Sequence, residues 1–248
     1  MEIVPLGDAA LILRVRERFD DAPEETLDAV LRAFQQLQHA AIPGVIELAP
    51  AYTSVAVFFD PIVVAKSAEI PDKTFDWIAT RVRAVVAGFT APGKRTRLRS
   101  QTIEIPVCYD AEFALDIDDV AGRANISPSE VIQLHSTFQY RVACIGFVPG
   151  FPFLTGLPKK LATPRRETPR KAIPAGSVGI GGGQTGIYPL RSPGGWNLIG
   201  RTPLSLFNPQ KNPPTLLRAG QRVRFRAITR DEFATLAEAG AAEESSKR

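Results

Sequence analysis

Cysteine and histidine are nearly missing from this chain, with two of each in 248 residues. Cys108 and Cys144 are too few for a disulfide framework or a zinc site, so no metal is expected. With only His39 and His135 available, no Ser–His–Asp or Cys–His set can be argued from residue order. No run of 18 or more apolar residues occurs, which excludes a membrane-spanning helix. The N-terminus, MEIVPLGDAALILRVRER, carries acids early and lacks the basic-then-apolar layout of a leader, so it reads as a first strand in a reduced, cytoplasmic protein. There is no G-x-x-x-x-G-K-[ST] loop, so this chain acting alone is not expected to hold a nucleotide.

What the chain does have is an ordinary globular composition. A hydrophobic share of 44% against 23% charged is enough to build a real core. The net charge of +4 is mild and its excess is local, in KRTRLR (94–99) and KKLATPRRETPRK (159–171). A nucleic-acid binder shows a wider basic face interleaved with aromatics, so that partner is not expected. A few clustered arginines suit a small anionic ligand better.

The first ninety residues alternate between strand-like and helix-like segments. Ala9–Val15 is apolar and β-compatible. Thr26–Ala40 places Leu27, Val30, Leu31, Phe34 and Leu37 at helical spacing. Val45–Leu48 and Ser54–Phe59 read as strands around a turn at Ala49-Pro50, and Phe75–Val86 reads as a second amphipathic helix. This order predicts a small α/β sandwich with helices on one face of a sheet, over residues 1–90. Residues 91–100, polar and containing Pro-Gly, read as a linker.

Residues 101–230 predict a second domain. Thr102–Val107 opens it as a strand, and a short helix follows near Asp116–Arg123. Ser127-Pro128-Ser129-Glu130 starts another helix, with Ser127 as N-cap and Glu130 closing a capping box. From Tyr140 onward glycine and proline dominate. Short β segments at Arg141–Phe147, Ser177–Ile180, Trp196–Arg201 and Gln221–Ala227 predict a closed or nearly closed β structure. A last helix, Asp231–Ala241, and a frayed EESSKR tail complete residues 231–248.

The densest glycine stretch is GIGGGQTGIYPLRSPGGWNLIGRTP (179–203). It satisfies G-x-G-x-x-G formally at Gly181–Gly186, but Tyr188-Pro189 and Pro193-Gly194-Gly195 forbid the helix that a dinucleotide site requires. The glycines therefore either close tight turns or let backbone approach a ligand. Gln184 and Thr185 sit between glycines, Tyr188 and Arg191 between turns, and Trp196 offers a flat wall. Arg165, Arg166 and Arg170 share a proline-punctuated loop and carry planar forks suited to carboxylate or phosphate. His135 reads as a helix-end residue bonded to backbone, and Cys144 as a small buried residue in an apolar strand.

Two long motifs, GFVPGFPFLTGLP (146–158) and LATPRRETPRKAIPAGSVGIGGGQTGIYPLRSPGGWNLIGRTP (161–203), closely resemble the 5-oxoprolinase B-subunit family, which includes the kinase inhibitor KipI and chains labelled allophanate hydrolase subunit 1. The resemblance extends through the N-terminal part and the helix bearing His135. It implies an α+β protein with an N-terminal α/β domain and a C-terminal cyclophilin-like β-barrel. It also implies a homologous partner, the C-subunit, together with an ATP-using A-subunit of a different fold. The three jointly open the lactam of 5-oxoproline to glutamate. ATP is then used by the complex and not held by this chain alone. In that setting His135, Arg166 and Gln184 are the expected catalytic residues. Arg165, Gly183, Thr185, Gly186, Tyr188, Arg191 and Trp196 are expected to bind a small carboxylate substrate, and Val148, Pro149 and Phe151 to contact a partner. The family offers two alternatives: a KipI-type inhibitor that binds a sensor histidine kinase, and a component of an enzyme for allophanate or urea-derived compounds.

Overall fold

The computed structural model describes residues 1–68, 73–88 and 102–245, and the chain divides into two compact units, Met1–Arg99 and Ser100–Arg248. The expected linker at 91–100 lies outside the described residues, as do residues 246–248.

In the first unit, β1 (Glu2–Pro5), β2 (Ala10–Arg14), β4 (Ser54–Phe59) and β3 (Val45–Ala51) form an antiparallel sheet in that order. Period-2 alternation turns Val55, Val57 and Phe59 inward, and Val55 and Val57 pair with Leu13 and Leu11 of β2. Against that face lie α1 (Pro23–Ala40), through Val30, Ala33 and Leu37, and α3 (Thr74–Ala87), through Ile78, Val82 and Val86. Each fully buried Leu or Val here contributes about 1.5–3 kcal/mol over leaving it in water.

Two local readings are corrected. The turn expected at Ala49-Pro50 falls at Tyr52, whose φ is +44°, because β3 is an edge strand and an edge tolerates proline. A helix passed over in the sequence, α2 (Pro61–Ser67), follows Asp60, whose carboxylate accepts from Ile62 N and Val63 N.

The second unit is built on a closed barrel of seven strands, ordered β10, β7, β6, β13, β5, β12, β9. Their ranges are β5 Ile103–Cys108, β6 Gln139–Ile145, β7 Pro152–Thr155, β9 Ser177–Gly181, β10 Gln184–Ile187, β12 Asn197–Arg201 and β13 Arg222–Ile228. Most neighbours are antiparallel, while β13 runs parallel to β5 over six residue pairs from Val223↔Ile103 to Ile228↔Cys108. Two helices, α4 (Ile117–Ala124) and α5 (Pro128–Thr137), join the barrel core through Ile117, Val120 and Val131. The capping box read at Ser127 is present in both directions. A small ribbon of β8 (Arg170–Ile173) and β11 (Ser192–Gly194) lies outside the barrel ladder, and α6 (Arg230–Ser245) ends the described chain.

Candidate functional site

The proline-punctuated loop at 162–169 is fastened at several points. Thr163 and Gly182 exchange backbone hydrogen bonds of 3.1 and 2.7 Å, tying the loop's start to the turn between β9 and β10. Arg166 N donates to Gly195 O at 2.7 Å, and Asn197 Nδ2 donates to Pro164 O at 2.8 Å. Pro164 and Pro169 fix φ and bring no N–H of their own to satisfy.

Its arginines converge on Asp116, the residue preceding α4. The Asp116 side chain does not cap that helix. Its Oδ1 accepts from Arg166 Nη1 at 2.7 Å and Arg170 Nη2 at 2.8 Å, and its Oδ2 accepts from Arg170 Nη1 at 2.8 Å and Leu198 N at 2.7 Å. Four donors saturate a carboxylate that is only 2% exposed, which is what allows it to be buried. The Arg170 pairing is the bidentate geometry that a guanidinium favours. Arg166 and Arg170 keep 33% and 23% of their side chains open. Two guanidinium charges against one carboxylate leave one positive charge, with the exposed Arg165 next in the chain.

Behind this group lies an aromatic cluster distinct from the barrel core: Phe151, Ile173, Tyr188, Trp196 and Leu198. Phe151 meets Tyr188 and Trp196 edge-on, with centroids 5.1 and 5.5 Å apart. Burial pushes the Tyr188 phenol up. A backbone hydrogen bond from Trp196 and the charges of Arg165 and Arg170 pull the other way.

The glycines divide into two kinds. A Cβ at Gly181 would lie 2.6 Å from the Trp196 indole, and one at Gly186 would lie 2.8 Å from Pro152 O and 3.0 Å from Phe151 and Trp196. These two positions admit the tryptophan, so the close approach expected of Gly186 is to Phe151 and Trp196 and not to a ligand. Gly182 (φ +63°) and Gly183 face open space at the hairpin tip, and the formal G-x-G-x-x-G run is this β-hairpin. Gln184 is half-buried at the start of β10, so residues 184–187 form a strand inside the glycine-rich stretch, and Arg191 is exposed beside β11.

His135 is placed differently from its sequence reading. It lies at the last turn of α5, fully buried and stacked on Phe225 at 4.3 Å, with its ring bonded to side chains and not to backbone. Thr185 Oγ1 donates to Gly179 O at 2.9 Å, so it accepts from His135 Nε2 at 3.0 Å; His135 Nδ1 then accepts from Tyr109 Oη at 2.7 Å. This assignment of the tautomer follows from the network. Burial takes the imidazole down to about 3, so the ring is neutral. A sealed, neutral ring with both nitrogens engaged cannot carry a proton to a substrate at the surface.

The structure thus brings Arg166, Tyr188 and Trp196 together with Arg170, which the sequence marked only as one of three arginines in the loop, and adds Asp116, which sequence reasoning missed. In the apolar loop, Phe151 is buried, Val148 half-buried and Pro149 exposed. The side chain that loop presents is Phe147, 61% exposed at φ +69° and touching Phe151 edge-on at 5.6 Å. A surface hollow of about 780 Å³ belongs to the first unit, between Glu2, Arg14, Arg16, Glu17, Arg18 and Glu25, and contains none of the expected site residues.

Residues 1–217 match the family model described as carboxyltransferase domain, subdomain C and D. The chain is 43% identical over 232 residues to the 5-oxoprolinase B-subunit of Bacillus subtilis, covering 94% of this chain and 95% of that protein. Among solved structures it is similar to TTHA0988, with 34% identity, a TM-score of 0.71 and 88% of this chain covered; the chain spans 40% of that longer protein. The Kluyveromyces lactis urea amidolyase shares the fold at 20% identity and a TM-score of 0.77, over 96% of this chain and 15% of that one.

Proposed function

This chain belongs to the family of carboxyltransferase subdomains C and D that includes the 5-oxoprolinase B-subunit, and from that premise we propose that it is one subunit of an ATP-dependent complex opening the lactam of 5-oxoproline to glutamate. The observation that carries the reading is end-to-end likeness to a relative of that name, with the arginine loop, Tyr188 and Trp196 gathered at one place.

The chemistry asks for two things. A lactam carbonyl is a poor electrophile, so ATP, handled elsewhere in the complex, supplies phosphorylation of its oxygen and makes attack by water feasible. The complex must also hold a small carboxylate-bearing ring in one orientation while the ring C–N bond breaks. Arg166, Arg165 and Arg191 supply positive charge for that carboxylate, with Tyr188 and Gln184 orienting the ring from the buried side and the hairpin tip at Gly183. Thr185 acts from behind through the strand it holds, and His135 through Thr185.

Mixing the chain with its two presumed partners, the homologous one and the ATP-using one, and measuring ATP-dependent glutamate release with each omitted in turn tests the proposal. Activity that needs this chain supports it, and a complex indifferent to the chain overturns it. Arg166→Ala should abolish that activity while the chain stays folded, with a lowered melt because the buried Asp116 carboxylate loses one of its four donors. A second reading, a module docking on a sensor histidine kinase, draws on the exposed Phe147. Capture of a kinase dimerisation fragment by the chain alone, beside an indifferent complex, favours it. Turnover of allophanate in place of 5-oxoproline would move the substrate within the family.

A further inference from the structure

We infer that Asp116 is a positioning residue that sets Arg166 and Arg170 as a clamp for a single carboxylate, with Ser192 as an additional donor. The inference rests on the reading that the site takes a small monocarboxylate.

Charge and geometry carry it first. One aspartate between two guanidinium groups leaves one positive charge on the cluster, which a single carboxylate complements. Arg170 is held end-on through both Nη atoms, and Arg166 through Nη1 alone, so the two planes are fixed by one carboxylate that is itself locked to Leu198 N. Holding two long side chains in place beforehand removes an ordering cost from ligand binding.

A second observation is independent of the ion pairs. Among the described residues, two buried side-chain polar atoms have no hydrogen-bond partner: Arg166 Nε and Ser192 Oγ. Buried polar atoms are nearly always bonded, and the two exceptions belong to a clamp arginine and to the ribbon strand that pairs with the segment carrying Arg170. Ser192 is 8% exposed and stands on β11 opposite Ile173, two residues from the Gly194 that pairs with Arg170. A donor left unpaired on a clamp arginine, and a hydroxyl left unpaired on the ribbon that carries Arg170, fit a place that an incoming acceptor completes.

The test uses the assembled complex, labelled 5-oxoproline in equilibrium dialysis without ATP, and steady-state turnover with ATP. Asp116→Asn keeps the shape of the side chain and removes its charge. Ser192→Ala removes a hydroxyl that bonds nothing, so the fold loses nothing with it. Both variants should weaken 5-oxoproline binding and raise KM by tenfold or more with kcat changed less than threefold. Binding of 2-pyrrolidinone, the same ring without the carboxylate, should be unaffected. Wild-type affinity in Ser192→Ala and in any folded Asp116→Asn complex overturns the clamp, as does an equal loss for both ring compounds. If the wild-type complex neither binds nor turns over 5-oxoproline, the proposed function fails. The clamp is then judged with acetate and succinate: acetate binding lost in the variants supports it, and no acetate binding overturns it.

Discussion

His135 Nε2 donates to Thr185 Oγ1 across 3.0 Å, joining the end of α5 to β10 between residues fifty apart in sequence. Thr185→Val keeps the shape and removes the acceptor, leaving a buried N–H unpaired. The expected cost is about 1–3 kcal/mol, read as a lower urea midpoint. An unchanged midpoint would show that the link adds nothing to the barrel.

Acid should loosen the same link. The His135 pKa is lowered by burial to about 3 from its ordinary 6.5, so below pH 6.5 the unfolded chain takes up a proton that the native ring refuses. Stability therefore falls as pH drops from 6.5 toward 3, by up to about tenfold in the folding constant per pH unit. Glu104, held down by hydrogen bonding to Arg224, and Glu130, held down by Ser127, are lowered from 4.5 and lose their contribution only at more acid pH. The interval from pH 6.5 to 4.5 isolates the histidine. Urea midpoints across it should slope in the wild type and flatten in His135→Gln, and parallel slopes would assign the acid sensitivity elsewhere.

The two kinds of glycine predict opposite results for one substitution. Gly181→Ala forces a methyl group into the Trp196 indole and should destabilise by about 1–3 kcal/mol, with a shift in tryptophan emission. Gly183→Ala meets open space and should leave the melt within about 0.5 kcal/mol of wild type. A loss of complex activity in Gly183→Ala without loss of stability would place the hairpin tip against substrate or partner.

Phe147 offers a test of assembly. Since 61% of it is exposed, Phe147→Asp should cost the isolated chain little stability. It should weaken co-purification with the rest of the complex if the loop docks there. Undiminished assembly at low micromolar concentration would remove the loop from the interface.

Patterns with a period were readable from the sequence. The α1 and α3 faces, the capping box at Ser127 and the short glycine-bounded strands each follow from local rules, and together they gave the α+β division. The site was only half legible. Arg166, Tyr188 and Trp196 stood out by type and by their turn-rich setting. Asp116 read only as the start of a short helix, because its arginine partners lie 50 and 54 residues away and no local signal announces a long-range ion pair. His135 was misplaced for a related reason: sequence shows a helix end but not the barrel interior into which that end is driven. The Asp60-Pro61 start of α2 was a local signal and was legible in principle.

The parallel pairing of β13 with β5 has a consequence for how this protein is made. Residues 222–228 fill the gap between β5 and β6, so a growing chain on the ribosome cannot close its barrel until that late segment has emerged. Until then two strand edges stand unpaired, the condition in which nascent chains associate wrongly. The matched family region stops at residue 217, short of β13, so an expression clone cut at that boundary should yield insoluble protein, and one carried through Ile228 should not.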